Sequence, residues 1–349
     1  MCKAARGMSF ILFAAILGMN ASCKPVCARE TVSRKPLSLI LLGDVMLDRR
    51  IRKWSGKVGG EYPFHPDTVC ILKTADAVFA NLESPIGMGG RPLEKKELWF
   101  CASPDMAPKL RGSGINVVSL ANNHILDYGV SVFQQTMRIL EGNGIRHVGG
   151  GRNAAEAGAP LILAFREKKI AFFAYSELAE IYWDPANPRS FLATDVRPGI
   201  LPIKAKEIVR AIRKIRKHAD LIVVSLHWGT EYRHYPALWQ RKTAHQLIDA
   251  GADIIAGHHP HVLQGVEYYH RGLIFYSLGN FVFDQAKTAC RETMIVRITF
   301  AGKPRIQIFP MLIRTGQPVP AEGNAALSIM EKIRKYSRPL GDLEWLETE

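Results

Sequence analysis

The sequence predicts an α/β protein with a largely parallel central sheet, on two observations. Short apolar runs rich in Val, Ile and Leu alternate with segments of helical periodicity. Several of those runs end in clusters of polar or metal-capable residues, which is where open α/β sheets bind their ligands. The composition agrees. Of 349 residues, 47% are hydrophobic and 22% charged, which excludes disordered, collagen-like and multi-spanning membrane chains.

Taken in order, Lys3 and Arg6 precede an apolar run at 8–19, followed by small residues. A charged start, a short apolar middle and a small-residue cleavage region read as an export signal over residues 1–28. The run is too short to span a bilayer, which needs about 20 apolar residues. Cleavage is expected after Ala28, or ahead of Cys23 if Asn20-Ala21-Ser22-Cys23 acts as a lipobox with Asn20 in place of Leu. The expected location is therefore exported, periplasmic or cell-surface, with a lipid anchor in the second case. Residues 29–36 form a tether. Removing residues 1–28 deletes Lys3, Arg6 and Lys24 and no acid, so the net charge drops only from +14 to +11. The basic excess belongs to the folded part and favours an anionic partner.

Buried strands are predicted at 37–42, 77–80, 116–120, 221–226, 253–256 and 272–278. Helices are predicted at 130–140, 204–218 and 236–250, with Pro236 at a first helical position. The runs 161–164 and 170–174, and 294–300 with 305–309, read as hairpins. Two connections suggest lids or binding loops: the Gly/Pro-rich 84–91 and the aromatic, proline-rich 182–202. One domain is expected over 37–317, followed by a C-terminal helix (321–336) within the tail 318–349. The six cysteines, Cys2, Cys23, Cys27, Cys70, Cys101 and Cys290, contain no C-x-x-C pair and read as buried thiols rather than a disulfide or zinc framework.

The strand ends carry the chemistry. They read Gly43-Asp44-Val45-Met46-Leu47-Asp48, Asn81-Leu82-Glu83, Asn122-Asn123-His124-Ile125-Leu126-Asp127, His227-Trp228-Gly229-Thr230-Glu231-Tyr232 and Gly257-His258-His259-Pro260-His261. Any one of them could be a turn or a cap. Together, five strand ends supplying imidazole, carboxylate and amide oxygen point to a metal site. Residues two apart on an extended chain share a face, so His259 and His261 can address one ion. Such donors suit Zn, Mn, Fe, Co or Ni better than Ca or Mg, and the lack of cysteine argues against a structural zinc. Trp228 and Tyr232 flank His227 as packing residues or as a pocket floor. Arg49, Arg50, Arg52 and Lys53 either meet carboxylates or form a solvated face.

In this order, GDVMLDR (43–49), NLES (81–84), LANNHILDYG (120–129), HWGTEY (227–232), GHHPHVLQ (257–264) and YSLGNFVFDQ (276–285) resemble the bacterial capsule-synthesis protein CapA family, related to the calcineurin-like metallophosphoesterases. The resemblance implies a metallophosphatase-like four-layer αββα sandwich with mixed sheets. It implies a role in making or exporting poly-γ-glutamate, an anionic polymer, alongside a membrane capsule-synthesis complex. It implies Asp44, Asn123, His227, His259 and His261 as ligands of one or two divalent transition ions (Mn, Zn or Fe), with Asn81 or Glu83 where a bridging acid is expected. His124 corresponds to the histidine that assists the leaving group, oriented by Asp127. The chain departs from the superfamily pattern at Met46, which replaces a histidine ligand, and at Asn81, which replaces an aspartate; Glu83, Asp48 or Glu231 could supply the missing oxygen. Arg49, Trp228 and Tyr232 are expected to contact substrate, with Asn280 and Asp284 supporting the ligands from behind. The activity expected is metal-dependent hydrolysis of a phosphoester or a γ-glutamyl amide. The alternative is a non-catalytic polymer-binding assembly or export factor using the same cleft. Nucleic-acid binding is not expected, because export separates the chain from DNA and no recognised motif is present.

Overall fold

The computed structural model describes residues 36–94, 96–180, 191–301 and 303–341. The expected leader with Cys23, residues 29–35 of the tether, residues 182–190 of the aromatic loop and the end of the tail lie outside the described residues.

The chain opens with β1 (Leu37–Val45), α1 (Arg49–Val58), α2 (Pro66–Leu72), β2 (Ala77–Leu82), α3 (Met106–Gly112), β3 (Val117–Ser119), α4 (Gly129–Gly142) and β4 (Arg146–Val148). It continues through β5 (Gly150–Gly151), α5 (Ala154–Gly158), β6 (Leu161–Phe165), β7 (Lys168–Ser176), β8 (Gly199–Ile200), α6 (Ala205–Ile215) and β9 (Leu221–His227). Then come α7 (Leu238–Ala250), β10 (Ile254–His258), β11 (Val266–Tyr269), β12 (Gly272–Phe275), β13 (Asn280–Val282), β14 (Glu292–Ala301), β15 (Lys303–Arg314), β16 (Gln317–Pro320) and α8 (Gly323–Ser337).

The strands form two mixed sheets, with β5 and β8 paired antiparallel in a separate two-stranded sheet. The first runs β16-β15-β14-β1-β2-β3-β4, with β13 also beside β1; the second runs β11-β12-β10-β9-β7-β6. Strands β1 to β4 are parallel, as are β7, β9, β10 and β12, while the hairpins β14–β15 and β6–β7 supply antiparallel edges. The apolar runs are continuous because each central strand is buried on both faces. Leu39, Leu41 and Phe79 face Phe172, Val223 and Ala256 of the other sheet. Their neighbours Ile40, Leu42 and Val78 turn outward to Leu72, Leu110, Phe133 and Leu140 on the helices. On the far side, Phe173, Ile222 and Val224 pack against Ile208, Ile212, Ala244 and Leu247 of α6 and α7. The layers are helix, sheet, sheet, helix, as the resemblance implies.

Both predicted hairpins form, but several boundaries differ from expectation. Helix α7 starts at Leu238, so Pro236 lies just outside it. The helix expected to reach residue 218 tightens to a 3₁₀ turn at Arg216–His218, where the Arg216 guanidinium donates to the carbonyls of Ala219, Asp220 and Gly251. The strand expected at 272–278 stops at Phe275; the chain then crosses from the second sheet to enter the first as β13. That crossing passes very close to β1 and β10. A Cβ at Gly43 would stand 2.0 Å from the Gly279 carbonyl oxygen, and one at Gly257 1.9 Å from that of Tyr276, so glycine is required at both strand ends. The tail set apart from residue 318 completes the fold. Strand β16 straddles that point, and Ile329, Met330 and Ile333 of α8 join the core between the sheets. Among the described cysteines, Cys290 alone is a buried thiol; Cys70 is exposed and Cys101 half-buried, and all three are free.

Candidate metal centre

Strand register places the site. Asp44 pairs with Asn81 across β1 and β2, and His227 pairs with His258 across β9 and β10, so the carboxyl ends of both sheets open onto one crevice. Asp44, Glu83, Asn123, His227, His259 and His261 converge there, all buried. Two overlapping triads result, each with its ligand atoms within 4.8 Å of one another: Asp44, Glu83 and His227, and Glu83, His259 and His261. Glu83 belongs to both. Its Oε1 lies 3.8 Å from His227 Nε2 and 3.7 Å from His261 Nε2. Glu83 therefore occupies the shared position for which the sequence offered Asn81 or Glu83. The Asn81 amide instead donates to Asp44 Oδ1 (2.8 Å) and accepts from Asn122 (3.1 Å), which holds β1 and β2 together behind the site.

The histidine pair reaches the cluster by a geometry other than the one expected. β10 ends at His258, and His259 and His261 adopt φ of +94° and +58°, so a tight turn rather than strand alternation brings their rings together. Left-handed backbone at two non-glycine residues is costly and characteristic of functional turns. Asn280 Oδ1 lies 2.9 Å from His261 Nδ1 and can accept its proton, leaving Nε2 facing Glu83. Asn123 Oδ1 lies 2.9 Å from His227 Nε2.

The electrostatics fit a cation. Both Glu83 oxygens are buried without a hydrogen-bond partner, as are both nitrogens of His258 and Nδ1 of His259. A buried carboxylate with no partner is strongly disfavoured unless a positive charge compensates it. Burial, reinforced by the charge of Asp44, holds the Glu83 carboxyl well above its usual range. Burial acts upward on Asp44 too, but the imidazoles of His258 (Nδ1 at 3.4 Å) and His261 (Nδ1 at 3.5 Å) outweigh it and keep that group well below. Burial and neighbouring histidines push His227 far down and His259 to about 3, so both offer neutral lone pairs. Burial opposes charge on His261 as well, but Glu83 and Asp44 overcome it and raise the group to about 9. Imidazoles, two carboxylates and an amide oxygen form a donor set for a divalent transition ion.

Beside the triads stands a dyad. His124 Nδ1 lies 2.7 Å from Asp127 Oδ2, an oxygen that also accepts the Phe100 backbone N–H at 2.8 Å. With Nδ1 committed to the carboxylate, Nε2 is the nitrogen left to meet a substrate. The Phe100 ring stacks on His124 at 4.0 Å. Lys96, which sequence reading missed, is buried and pairs with Asp127 while donating to the Asn123 carbonyl, with its Nζ 3.0 Å from His124 Nδ1. Burial lowers Lys96 and raises Asp127 to about 7, each against the other's charge. Nothing in the run Glu94-Lys95-Lys96-Glu97 distinguishes one lysine from a solvated charge cluster. Lys96→Met is expected to leave metal content unchanged and to lower kcat by about ten- to a hundredfold, measured by elemental analysis and steady-state kinetics.

Three expected residues lie outside the cluster. Asp48 accepts the Cys101 backbone N–H at 2.8 Å and pairs with Arg52 at 3.8 Å, so its carboxylate is engaged outside both triads. Glu231 is exposed and in neither triad. Trp228 is fully buried, stacked on Tyr276 and bonded to its carbonyl at 3.1 Å; it is a core residue that substrate cannot reach. Of the other expected contacts, Tyr232 stands at the rim, its ring 6.4 Å from that of His261. Arg49 lies 4.9 Å over the Phe100 ring and is paired with Asp284, so that aspartate orients Arg49 rather than a ligand.

The fold is thus a four-layer sandwich with an acid–imidazole–amide cluster, a candidate metal site, at its strand ends. Residues 38–285 match the family model described as "Bacterial capsule synthesis protein PGA_cap", and the chain belongs to that family. It is 31% identical over 321 residues to "Capsule biosynthesis protein CapA" of Bacillus anthracis, covering 89% of this chain and 74% of that one. It is 33% identical over 298 residues to "PGA biosynthesis protein CapA" of Bacillus subtilis (strain 168), covering 84% and 76%. Among solved structures, the 5'-nucleotidase from Candida albicans SC5314 is similar with a TM-score of 0.43 and 11% identity, over 88% of this chain and 59% of that one.

Proposed function

We propose that this chain is an exported, metal-dependent hydrolase serving the synthesis or export of an anionic capsular polymer, poly-γ-glutamate. The observation that carries the reading is Glu83, a buried carboxylate without a partner, shared by two ligand triads beside the His124–Asp127 dyad. Asp44, Glu83, Asn123, His227, His259 and His261 would hold one or two ions of Mn, Zn or Fe. Such an ion, when bound, supplies Lewis acidity toward the scissile group and brings the pKa of a water near neutrality. The chain's own residues do the rest. Asp127, which burial raises to about 7, holds the proton it shares with His124 Nδ1; the ring's own proton then stays on Nε2, from which His124 gives it to the leaving group, and Lys96 fixes Asp127. The burial of the cluster excludes bulk water, so charge on the reacting group is weakly screened. The names of the two Bacillus relatives support the polymer pathway. The leader read at residues 1–28, with cleavage after Ala28 or acylation at Cys23, supports export to the periplasm or cell surface and contact with a membrane capsule-synthesis complex.

The test is elemental analysis of the purified mature protein paired with an activity screen over phosphoesters and γ-glutamyl polymers. Bound transition metal is expected, with hydrolysis that His227→Ala lowers by about a hundredfold or more. Hydrolysis untouched by that substitution and by chelation contradicts the proposal.

A further inference from the structure

Next to the metal centre, at the start of α7, a cavity of about 350 Å³ is lined by Thr230, Tyr232, Arg233, Tyr235 and Gln240. Gln240 is 1% exposed; its Oε1 accepts the Ala237 backbone N–H at 2.8 Å, but its Nε2 is buried with no partner. An amide N–H removed from water and left unpaired is disfavoured unless a ligand takes it. Arg233 adds an exposed guanidinium, and Lys287 Nζ sits 3.6 Å over the Tyr232 ring. Glu231, beside Tyr232, is the opposing charge, and the two cations outnumber it. The α7 N-terminus contributes the positive end of its dipole. The cavity is also wired to the ligands. The Tyr232 hydroxyl accepts from Gln285 Nε2 (3.4 Å), Gln285 Oε1 accepts from Asn280 Nδ2 (2.9 Å), and Asn280 Oδ1 meets His261 Nδ1 (2.9 Å).

We infer that this cavity is a subsite for the carboxylate of the acidic unit adjoining the scissile bond. A carboxylate accepts from Gln240 Nε2 and from the guanidinium fork of Arg233, while the Tyr232 and Tyr235 rings flank the methylenes of an acidic chain. What lies next door rests on the hydrolase reading; the binding does not.

The experiment is calorimetric titration of the full-length protein with a γ-linked glutamate pentamer, in the presence of a chelator so that nothing is hydrolysed. Gln240→Glu keeps the oxygen that accepts from Ala237 and replaces the donor with a negative charge; Arg233→Gln removes the cation. Each is expected to weaken pentamer binding by about tenfold; Arg233→Gln, at an exposed position, is expected to do so with the thermal midpoint unchanged, whereas Gln240→Glu lowers the midpoint because it buries a carboxylate oxygen. A pentamer whose carboxylates are amidated is expected to bind at least about tenfold more weakly than the acid. Inorganic phosphate that displaces the pentamer from the wild type but not from Arg233→Gln keeps the oxyanion site and assigns it to a phosphate group. Wild-type affinity in both variants, or equal affinity for the amidated pentamer, overturns the inference. Binding that depends on Gln240 and Arg233 in a protein that holds no metal leaves the subsite standing and removes only the hydrolase reading.

Discussion

Replacing Glu83 with glutamine is expected to strip the protein of transition metal and lower hydrolysis by about a thousandfold, since metal assistance is worth several kcal/mol of the barrier. The reason is positional. Glu83 is the one residue common to both triads, whereas His227 serves only the Asp44 triad and His259 only the His261 triad. His227→Ala and His259→Ala should each empty one half of the site; Glu83→Gln should empty both. Glutamine has nearly the same shape and no charge, and the carboxylate it replaces has no hydrogen-bond partner. The metal-free variant should therefore unfold at or above the temperature of the metal-free wild type, which separates loss of metal from loss of fold. Added metal should stabilise the wild type by about 2.7 kcal/mol at a hundred times its Kd and the variant not at all. Elemental analysis and thermal unfolding with and without chelator read both quantities.

His124→Ala is expected to lower kcat by about 10² to 10⁴ while metal content stays at the wild-type level. His124 is held by Asp127 and by the Phe100 ring and belongs to neither triad, so the ligands survive its removal. A proton donor matters in proportion to how badly the leaving group needs a proton. Esters of acidic phenols, which depart as anions, should lose much less rate in this variant than alkyl esters or amides. A uniform loss across leaving groups would mean that His124 positions substrate rather than protonates it.

Much of this was legible in the residues. Continuous Val/Ile/Leu runs identified strands buried on both faces, because parallel central strands have no solvent face. Asp44, Glu83, Asn123 and the histidines stood out because polar groups at the ends of buried strands need a reason to be there. What was not legible depended on contacts distant in sequence. Lys96 enters from a loop, and its burial rests on contacts with Asp127, His124 and the Asn123 carbonyl, all distant in sequence. Trp228 sits beside a ligand in sequence, yet successive strand residues point to opposite faces, so it enters the far core. Asp48 differs from Asp44 only by lying past the strand end, where the Cys101 backbone takes it. The positive φ at His259 and His261 is invisible to a rule of alternation. The crossing from β12 to β13 is hidden because one apolar run serves two sheets.

Crystals of the metal-loaded protein, measured at the absorption edge of the metal that elemental analysis identifies, test the central claim most directly. An anomalous peak in contact with Glu83, between His227 and His261, is the result this account predicts. A metal bound elsewhere on the molecule, with Glu83 still unpartnered, would contradict it.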